Sequence, residues 1–371
     1  MASICGSPVC AGGKPKLKFT YTGDYVVRKD GVVELRSSGT LVFLKPAVID
    51  VFMVGGGGMG GVMTNPGISS GAGGGGGGYT ATARKQSVSG SINVTIGQGA
   101  TSQSHQSGKQ YGGITTFGSI LSANGGESAY YTPQYEGTYA LNGGAGGSGG
   151  GSQSGTGGEN GGDGQTVEFG SYNSKGGAGQ GATTREFGEE NGKLYAGGGG
   201  GGVSQSAVVT PGGNGGGGSG GYKLTSGHSQ KPTAGADNTG GGGGGGATIA
   251  GSGPNGAYGG SGIVCFREAL ELPELAGTWV LNERLYAPTE SVKTDTNFSG
   301  TTKTGKVEQF ISVTNGPNAV TAKPASGLSL TIYSYSTNQW NEKYNTWTFP
   351  AGATASDEFR AWLASNATKQ A

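Results

Sequence analysis

The sequence predicts a mainly β protein: a jelly-roll-like β-sandwich with a large inserted bundle of polyglycine II helices, followed by a small α+β C-terminal domain. Three observations predict it. Runs of alternating apolar and polar residues flank a central stretch on both sides. That stretch is extreme in glycine: residues 55–262 carry 73 of the chain's 85 glycines in 208 positions, and the other 163 positions carry 12. Beyond it, ordinary composition returns. The expected division is an N-terminal tail over 1–14, the β-sandwich over 15–268 with its insert at about 55–262, a linker at 269–274 and the last domain at 275–371.

The flanking elements follow in order. Leu17 to Thr22, LKFTYT, alternates as a strand does. In YVVRKDGVVELRSSG the pair Asp30-Gly31 stands between two alternating runs, a hairpin signal. GTLVFLKP and VIDVFMV (Val48 to Val54) read as two more strands, the second apolar on both faces and therefore central. YTATARKQSV, SINVTIGQG and GITTFGSI are strand-like. The signal then lapses until GIVCFRE, Gly262 to Glu268, which closes the sheet. The glycine-rich segment thus leaves and returns as one excursion.

Glycine-rich sequence is ordinarily flexible linker. Three features favour order here. From Gly143 the chain parses in triplets, GGA-GGS-GGG and, after a break at SQS, GTG-GEN-GGD-GQT. A period of three matches polyproline II, with about 3 residues per turn and about 3.1 Å rise. That helix makes no internal hydrogen bonds, so it needs neighbours to pair its amides. Aromatic and aliphatic residues punctuate the runs: Tyr79, Phe169, Phe187, Leu194, Tyr195, Tyr222 and Tyr258. Finally, the runs recur with similar size, at 55–61, 71–78, 143–151, 197–202, 212–221 and 240–246. Fixing so many glycines is entropically expensive, and dense inter-run bonding must offset it.

The motif order resembles the glycine-rich proteins of bacteriophages and prophages, Firmicutes-type above all. It comprises GTLVFLKPAVIDVFMVGGGGMGG, AGGGGGGYTATA, VTIGQGA, GITTFG, GATTREFGEENGKLYAGGGGGG and GGSGIVCFRE. The resemblance covers about residues 17–268. In principle it is also similar to the tip adhesins of T-even-like phages and to the extracellular part of certain animal receptor kinases. The first carry sandwiches of polyglycine helices with variable receptor-touching loops. The second insert glycine helices into a TNF-like β-sandwich. Neither transfers a residue-level site.

The C-terminal segment has strand candidates at 307–313, 328–335 and 344–349. Ser356 is the expected N-cap of a short helix, DEFRAWLASNA, with Asp357 and Glu358 in its first turn and Phe359, Trp362 and Leu363 on its buried face. GTWVLNE and the later W…Y…W-x-F resemble a small module of phage-related proteins, which implies attachment or assembly.

Enzymatic signals are weak. G-x-G-x-x-G recurs because glycine is abundant, without the strand-to-helix setting or following acid of a dinucleotide site. GTTKTGK, Gly300 to Lys306, has P-loop spacing, but Val307 stands where Ser or Thr would meet magnesium. Glu189-Glu190 reads as a solvated turn. The expectation is no enzyme, no cofactor and no metal: Cys5 and Cys10 are spaced C-x4-C, Cys265 lies in a strand, and His105 and His228 lie in polar loops. Net charge is +1 with both signs scattered, which argues against a nucleic-acid partner. No apolar stretch is long enough to span a membrane, and MASICGSPVC does not read as a signal peptide.

Binding residues are sought between the runs. ESAYYTPQYEGTYALN (Glu127 to Asn142) carries Tyr130, Tyr131, Tyr135 and Tyr139, and EFGSYNSKG carries Tyr172. Tyrosine offers rigid amphipathic area at low rotamer cost, as binding loops favour. The alternative is packing on the glycine bundle, which is expected of Tyr79, Tyr195 and Tyr258. SQSAVVTP (204–211) and KLTSGHSQKPTAGADN (223–238) are further loop candidates. The expected function is a phage virion structural protein, a tail-associated adhesin for a host-surface glycan or protein. It would be made in the host cytoplasm and carried on the particle among other virion proteins. A head fibre or capsid decoration protein is the first alternative and a bacterial surface glycine-rich protein the second. A homo-oligomer is open, since no heptad repeat drives one.

Overall fold

The computed structural model describes residues 17–61, 69–101, 110–133, 139–167, 175–269, 274, 276–281, 302–306, 310–313, 320–322, 329–333, 346–349, 360, 364 and 367–370. The chain divides into two compact units, Met1–Ala269 and Leu270–Ala371. The described fold is mainly β with almost no helix, and its sheets are antiparallel apart from one short parallel pair.

In the first unit the strands are β1 (Phe19–Tyr21), β2 (Tyr25–Val27), β3 (Val33–Leu35), β4 (Gly39–Val54), β5 (Ser70–Gly71), β6 (Thr80–Thr95), β7 (Thr115–Phe117) and β8 (Leu121–Ala123). They continue with β9 (Tyr130–Pro133), β10 (Tyr139–Asn142), β11 (Val203–Ser204), β12 (Tyr222–Lys223), β13 (Ser229–Gln230), β14 (Ala247–Thr248) and β15 (Ile263–Glu268). Eight of them make one open sheet in the order β2-β3-β15-β4-β6-β7-β8, with β1 also on β4. The last strand of the unit, β15, therefore lies inside the sheet, between β3 and β4, rather than at its edge.

The two strands expected around Pro46 are one 16-residue strand, β4. Its ladder with β6 is interrupted between Phe43 and Ala47 and again between Ile49 and Val51. Pro46, with no N–H to donate, sits in the first interruption. β1 pairs the first half of β4 and β15 the second. Rings from both halves meet: Phe19 and Phe43 lie 5.4 and 5.9 Å from Phe266. Strand alternation then sorts the faces. Ile49, Val51 and Met53 join Val264, Phe266, Ile92, Val94 and Phe117 in the main core. Phe52, Val54, Ile263 and Cys265 face the other way and meet Phe187, Tyr195 and Ala196. The second half of β4 is apolar on both sides because both sides are covered.

The glycine runs are ordered side by side. Ala72, Gly75 and Gly78 donate to Gly246, Gly243 and Gly240; Gly58 and Gly61 donate to Gly76 and Gly73; Gly74 and Gly77 donate to Gly151 and Ser148. Gly199 and Gly202 in turn donate to Gly75 and Ala72, and Gly218 and Gly221 to Gly242 and Gly245. Partners recur every three residues, so successive residues of one run bond to different neighbours. Within 55–61, 72–78, 197–202 and 241–246 no glycine adopts a left-handed φ. Glycine is required there for space: a Cβ on Gly75 would lie 2.2 Å from the Gly58 oxygen, and one on Gly243 would lie 2.0 Å from the Ala257 oxygen. Left-handed φ values occur instead at turns, as at Gly215 and Gly216 (99° and 102°).

A 3-10 turn, Glu186–Gly188, fastens the runs to the sheet. Arg28 of the β2–β3 hairpin donates from Nη2 to Glu186 Oε2 at 2.6 Å and from Nη1 to Glu186 Oε1 at 2.9 Å. Tyr195 donates to Glu186 Oε1 at 3.1 Å. Burial alone would lower the Arg28 guanidinium, but the hydrogen bonds and charges of Glu186 and Asp30 outweigh it and hold it above its ordinary value. Burial, then neighbouring negative charge, pushes the Tyr195 hydroxyl and the Cys265 thiol up. Beside this group, Arg267 pairs Glu189 at 2.5 Å and Asp50 at 3.3 Å, and its guanidinium lies 4.2 Å from the Phe187 ring centre.

In the second unit the strands are β16 (Gly277–Leu281), β17 (Thr302–Lys306), β18 (Phe310–Val313), β19 (Val320–Ala322), β20 (Ser329–Tyr333), β21 (Thr346–Phe349) and β22 (Ala367–Lys369). β16 is central between β21 and β22, and β17–β20 and β18–β19 pair antiparallel. Trp279 is buried, and the Lys369 ammonium lies 5.9 Å from its ring centre while donating to the Glu274 carbonyl at 2.8 Å. Of the expected helix, Asp357 to Ala367, Arg360 and Ala364 are helical, while its last residue, Ala367, belongs instead to β22, where it pairs with Leu281; the rest, with Ser356, Phe359, Trp362 and Leu363, lies outside the described residues.

This packing sets the expected cost of three substitutions. Gly75→Ala is expected to destabilise by at least about 1–3 kcal/mol, the overpacking range, because backbone must move. Gly90→Ala, at φ +65° with nothing within 4 Å, should cost only the left-handed strain of about 1 kcal/mol. Chemical denaturation of the two variants distinguishes them. Glu186→Ala should cost about 1–3 kcal/mol by the same measurement, since it leaves the buried Tyr195 hydroxyl without its carboxylate acceptor, while Arg28 keeps Asp30 at 2.9 Å and Glu34 at 3.4 Å.

Candidate functional site

The runs have a sheet end and a far end. Run 55–61 continues out of β4; run 72–78 returns into Tyr79 and β6; runs 197–202 and 240–246 start beside the sheet, after Ala196 and after Thr239, which donates to the Ser261 carbonyl. Chain reversals at the sheet end are tight turns, such as 159–162 and 214–216. At the far end the glycine pattern gives way to side-chain-bearing segments. β5 pairs β14 there, and the three-stranded β11-β12-β13 sheet follows directly from runs 197–202 and 212–221. The β9–β10 hairpin joins this end: Ala129 donates to the Met59 carbonyl and Gly143 to the Lys175 carbonyl.

The tyrosine-rich segment, read from sequence as a loop, is a hairpin with its residues 134–138 outside the described set. Its aromatic composition suits paired strands. Tyr130 is opposite Asn142, Tyr131 opposite Leu141 and Tyr139 opposite Pro133. Tyr130 is half-buried. Tyr135 and Tyr172 lie outside the described residues. The structure thus brings Tyr130, Tyr131 and Tyr139 onto one hairpin. Of the tyrosines expected to pack, Tyr195 is fully buried, Tyr79 is half-buried, and Tyr258 corrects the expectation with 55 % exposure.

Other exposed groups at the far end were less legible. Val208 and Val209 are 52 % and 37 % exposed in the loop after β11. His228, Ser229 and Gln230 are exposed on the β12–β13 hairpin, whose turn is closed by Leu224 donating to the His228 carbonyl. A break in the glycine pattern marked these segments, but nothing in their composition showed that they share one end. Among the described residues no group of three or more His, Cys, Asp or Glu could hold a metal ion. Among them, too, no helix is long and apolar enough to cross a membrane.

Fold and loop arrangement define a glycine-rich β protein whose runs hold a cluster of loops away from a sheet. The glycine-rich domain family model matches residues 37–269. That span exceeds half of the chain, and the chain belongs to this family. Among curated proteins nothing matches it.

Because the far-end loops carry little of the packing, the combined substitution Val208→Ser, Val209→Ser and His228→Ala is expected to leave stability within about 0.5 kcal/mol. A thermal melt of the triple variant checks this.

Proposed function

We propose that this chain is a structural protein of a bacteriophage particle, a tail-associated adhesin that meets the host surface through the far-end loops. In this reading the sheet is a jelly-roll-like sandwich and the glycine runs are polyglycine II helices packed as a rigid strut. The three-residue recurrence of inter-run hydrogen bonds supports the helix assignment, since that helix has about three residues per turn. The meeting of rings from the two halves of β4 and its partners supports the sandwich. The motif order over residues 17–268 supports the phage origin.

One observation carries the adhesin reading. The glycine runs end together, and the exposed segments 205–209 and 225–231, with the β9–β10 hairpin, emerge at the end away from the sheet. A rigid scaffold presenting a set of loops is how binding sites are commonly built. The ligand is a host-surface glycan or protein, and the other contacts are to virion proteins or to further copies of this chain. The role needs no catalytic group, cofactor or nucleic acid.

Adsorption competition tests the reading. Purified chain is preincubated with host cells, and adsorption of the parent phage is counted. The expected result is dose-dependent block by the intact chain and loss of block when residues 131–141 are replaced by two glycines. A folded chain that neither labels cells nor blocks adsorption overturns the reading in favour of a head-fibre or decoration role.

A further inference from the structure

The two ends of the glycine runs differ in charge: the sheet end carries both signs, with Arg185 and Lys193 on the Glu186 turn. Glu159, Asp163 and Asp237 lie at sheet-end turns, where they accept from Asn214, Gly179 and Ser261 amides, and Glu186 and Glu189 are bound to the sheet's arginines. At the far end the described charges are lysines. Lys175 lies beside the β9–β10 hairpin, its amide on Asn142 Oδ1. Lys223 ends β12, opposite Ser229, and Lys231 directly follows β13. Lys175 and Lys231 are exposed, and the Lys223 ammonium rests on the Gly227 carbonyl at 3.0 Å. The described acid nearest this end, Glu127, is 4 % exposed. No ion pair among the described residues includes any of the three lysines. Glu136 and Glu168 fall in segments outside the described residues.

Around these cations, beside His228, Val208 and Val209, the exposed side chains include the hydroxyls and amides of Gln205, Ser206, Thr225, Ser226, Ser229 and Gln230. Such groups hydrogen-bond sugar hydroxyls, and separated ammonium groups attract repeated negative charge. Val208 and Val209 offer less apolar surface than stable seating on a lipid layer needs.

We infer that the far end binds an anionic polysaccharide, with Lys175, Lys223 and Lys231 meeting its phosphate or carboxylate groups and the hydroxyl and amide side chains meeting its sugar or polyol hydroxyls. The inference rests on the receptor-binding reading and names the chemistry of the receptor. With one lysine beside the β9–β10 hairpin and two at the β12–β13 hairpin, the cations suit an extended repeating chain rather than one compact anion.

The test is binding of the full chain to four immobilised probes: a glycerol-phosphate polymer, polygalacturonate, neutral dextran and anionic lipid vesicles. The expected result is binding to one or both polyanions and not to dextran or vesicles. Affinity should fall at least about tenfold between about 50 mM and about 0.5 M salt, where screening shortens to a few ångströms. Lys175→Gln with Lys231→Gln should weaken it about tenfold, and Lys175→Arg with Lys231→Arg should retain it, since charge is what attracts. Both lysines are exposed, so these variants fold. Equal binding to dextran, binding to vesicles alone, no binding to either polyanion, or indifference to the lysine changes overturns the inference. Cell labelling that blocks phage adsorption equally at both salt concentrations removes the inference and leaves the receptor reading standing. Polyanion binding without any block of adsorption does the reverse.

Discussion

Backbone meeting backbone with no side chain between is the constraint on which the rest of the structure depends. Each glycine run lies against several others, and the spacing leaves no room for a Cβ at position after position. The reward is a hydrogen-bond network that crosses between runs and repeats every three residues. Without neighbours an extended glycine segment would leave its amides to water and keep its full chain entropy. The runs therefore stand or fall together, and their number and similar length are part of the same requirement. Glycine's freedom to adopt left-handed conformations matters only where the chain turns, as at Gly215 and Gly216.

A network of this kind has little hydrophobic driving force of its own, since glycine buries almost no apolar side chain. The sheet supplies it. Phe187, Tyr195 and Ala196 pack against Phe52, Val54, Ile263 and Cys265 on the face of the sheet opposite the main core. Two ion-pair groups, centred on Arg28–Glu186 and on Asp50–Arg84–Arg267–Glu189, hold the same turn. Aromatic burial and paired charge thus meet where the glycine segment joins an ordinary β core.

That joint gives the molecule a direction. One end of the runs is committed to packing and ion pairing; the other is released from both and carries hairpins and loops with exposed side chains. The proposed adhesin role uses this asymmetry, and the proposed anionic ligand follows from how charge is distributed along it. At the sheet end Glu186, Glu189 and Asp50 are paired with Arg28, Arg84 and Arg267, whereas Lys175, Lys223 and Lys231 at the other end are in no ion pair among the described residues.

The sequence by itself determined the β character of the flanks, the hairpin around Asp30-Gly31, the two-faced apolar strand ending at Val54 and the triplet rhythm of the glycine segment. These are local signals: alternation, turn chemistry and period act over a few residues. Tertiary structure decided what local signals cannot carry. It joined two expected strands across Pro46 into β4, since a ladder can skip a residue that has no N–H, and it set β15 between β3 and β4. It turned the tyrosine-rich loop into a hairpin bearing Tyr130, Tyr131 and Tyr139, and left Tyr258 exposed although it borders a run. It also decided which loops share an end and which charges oppose one another. Those relations depend on the pairing of runs far apart in the chain, and a run of identical glycines holds no information about its partner.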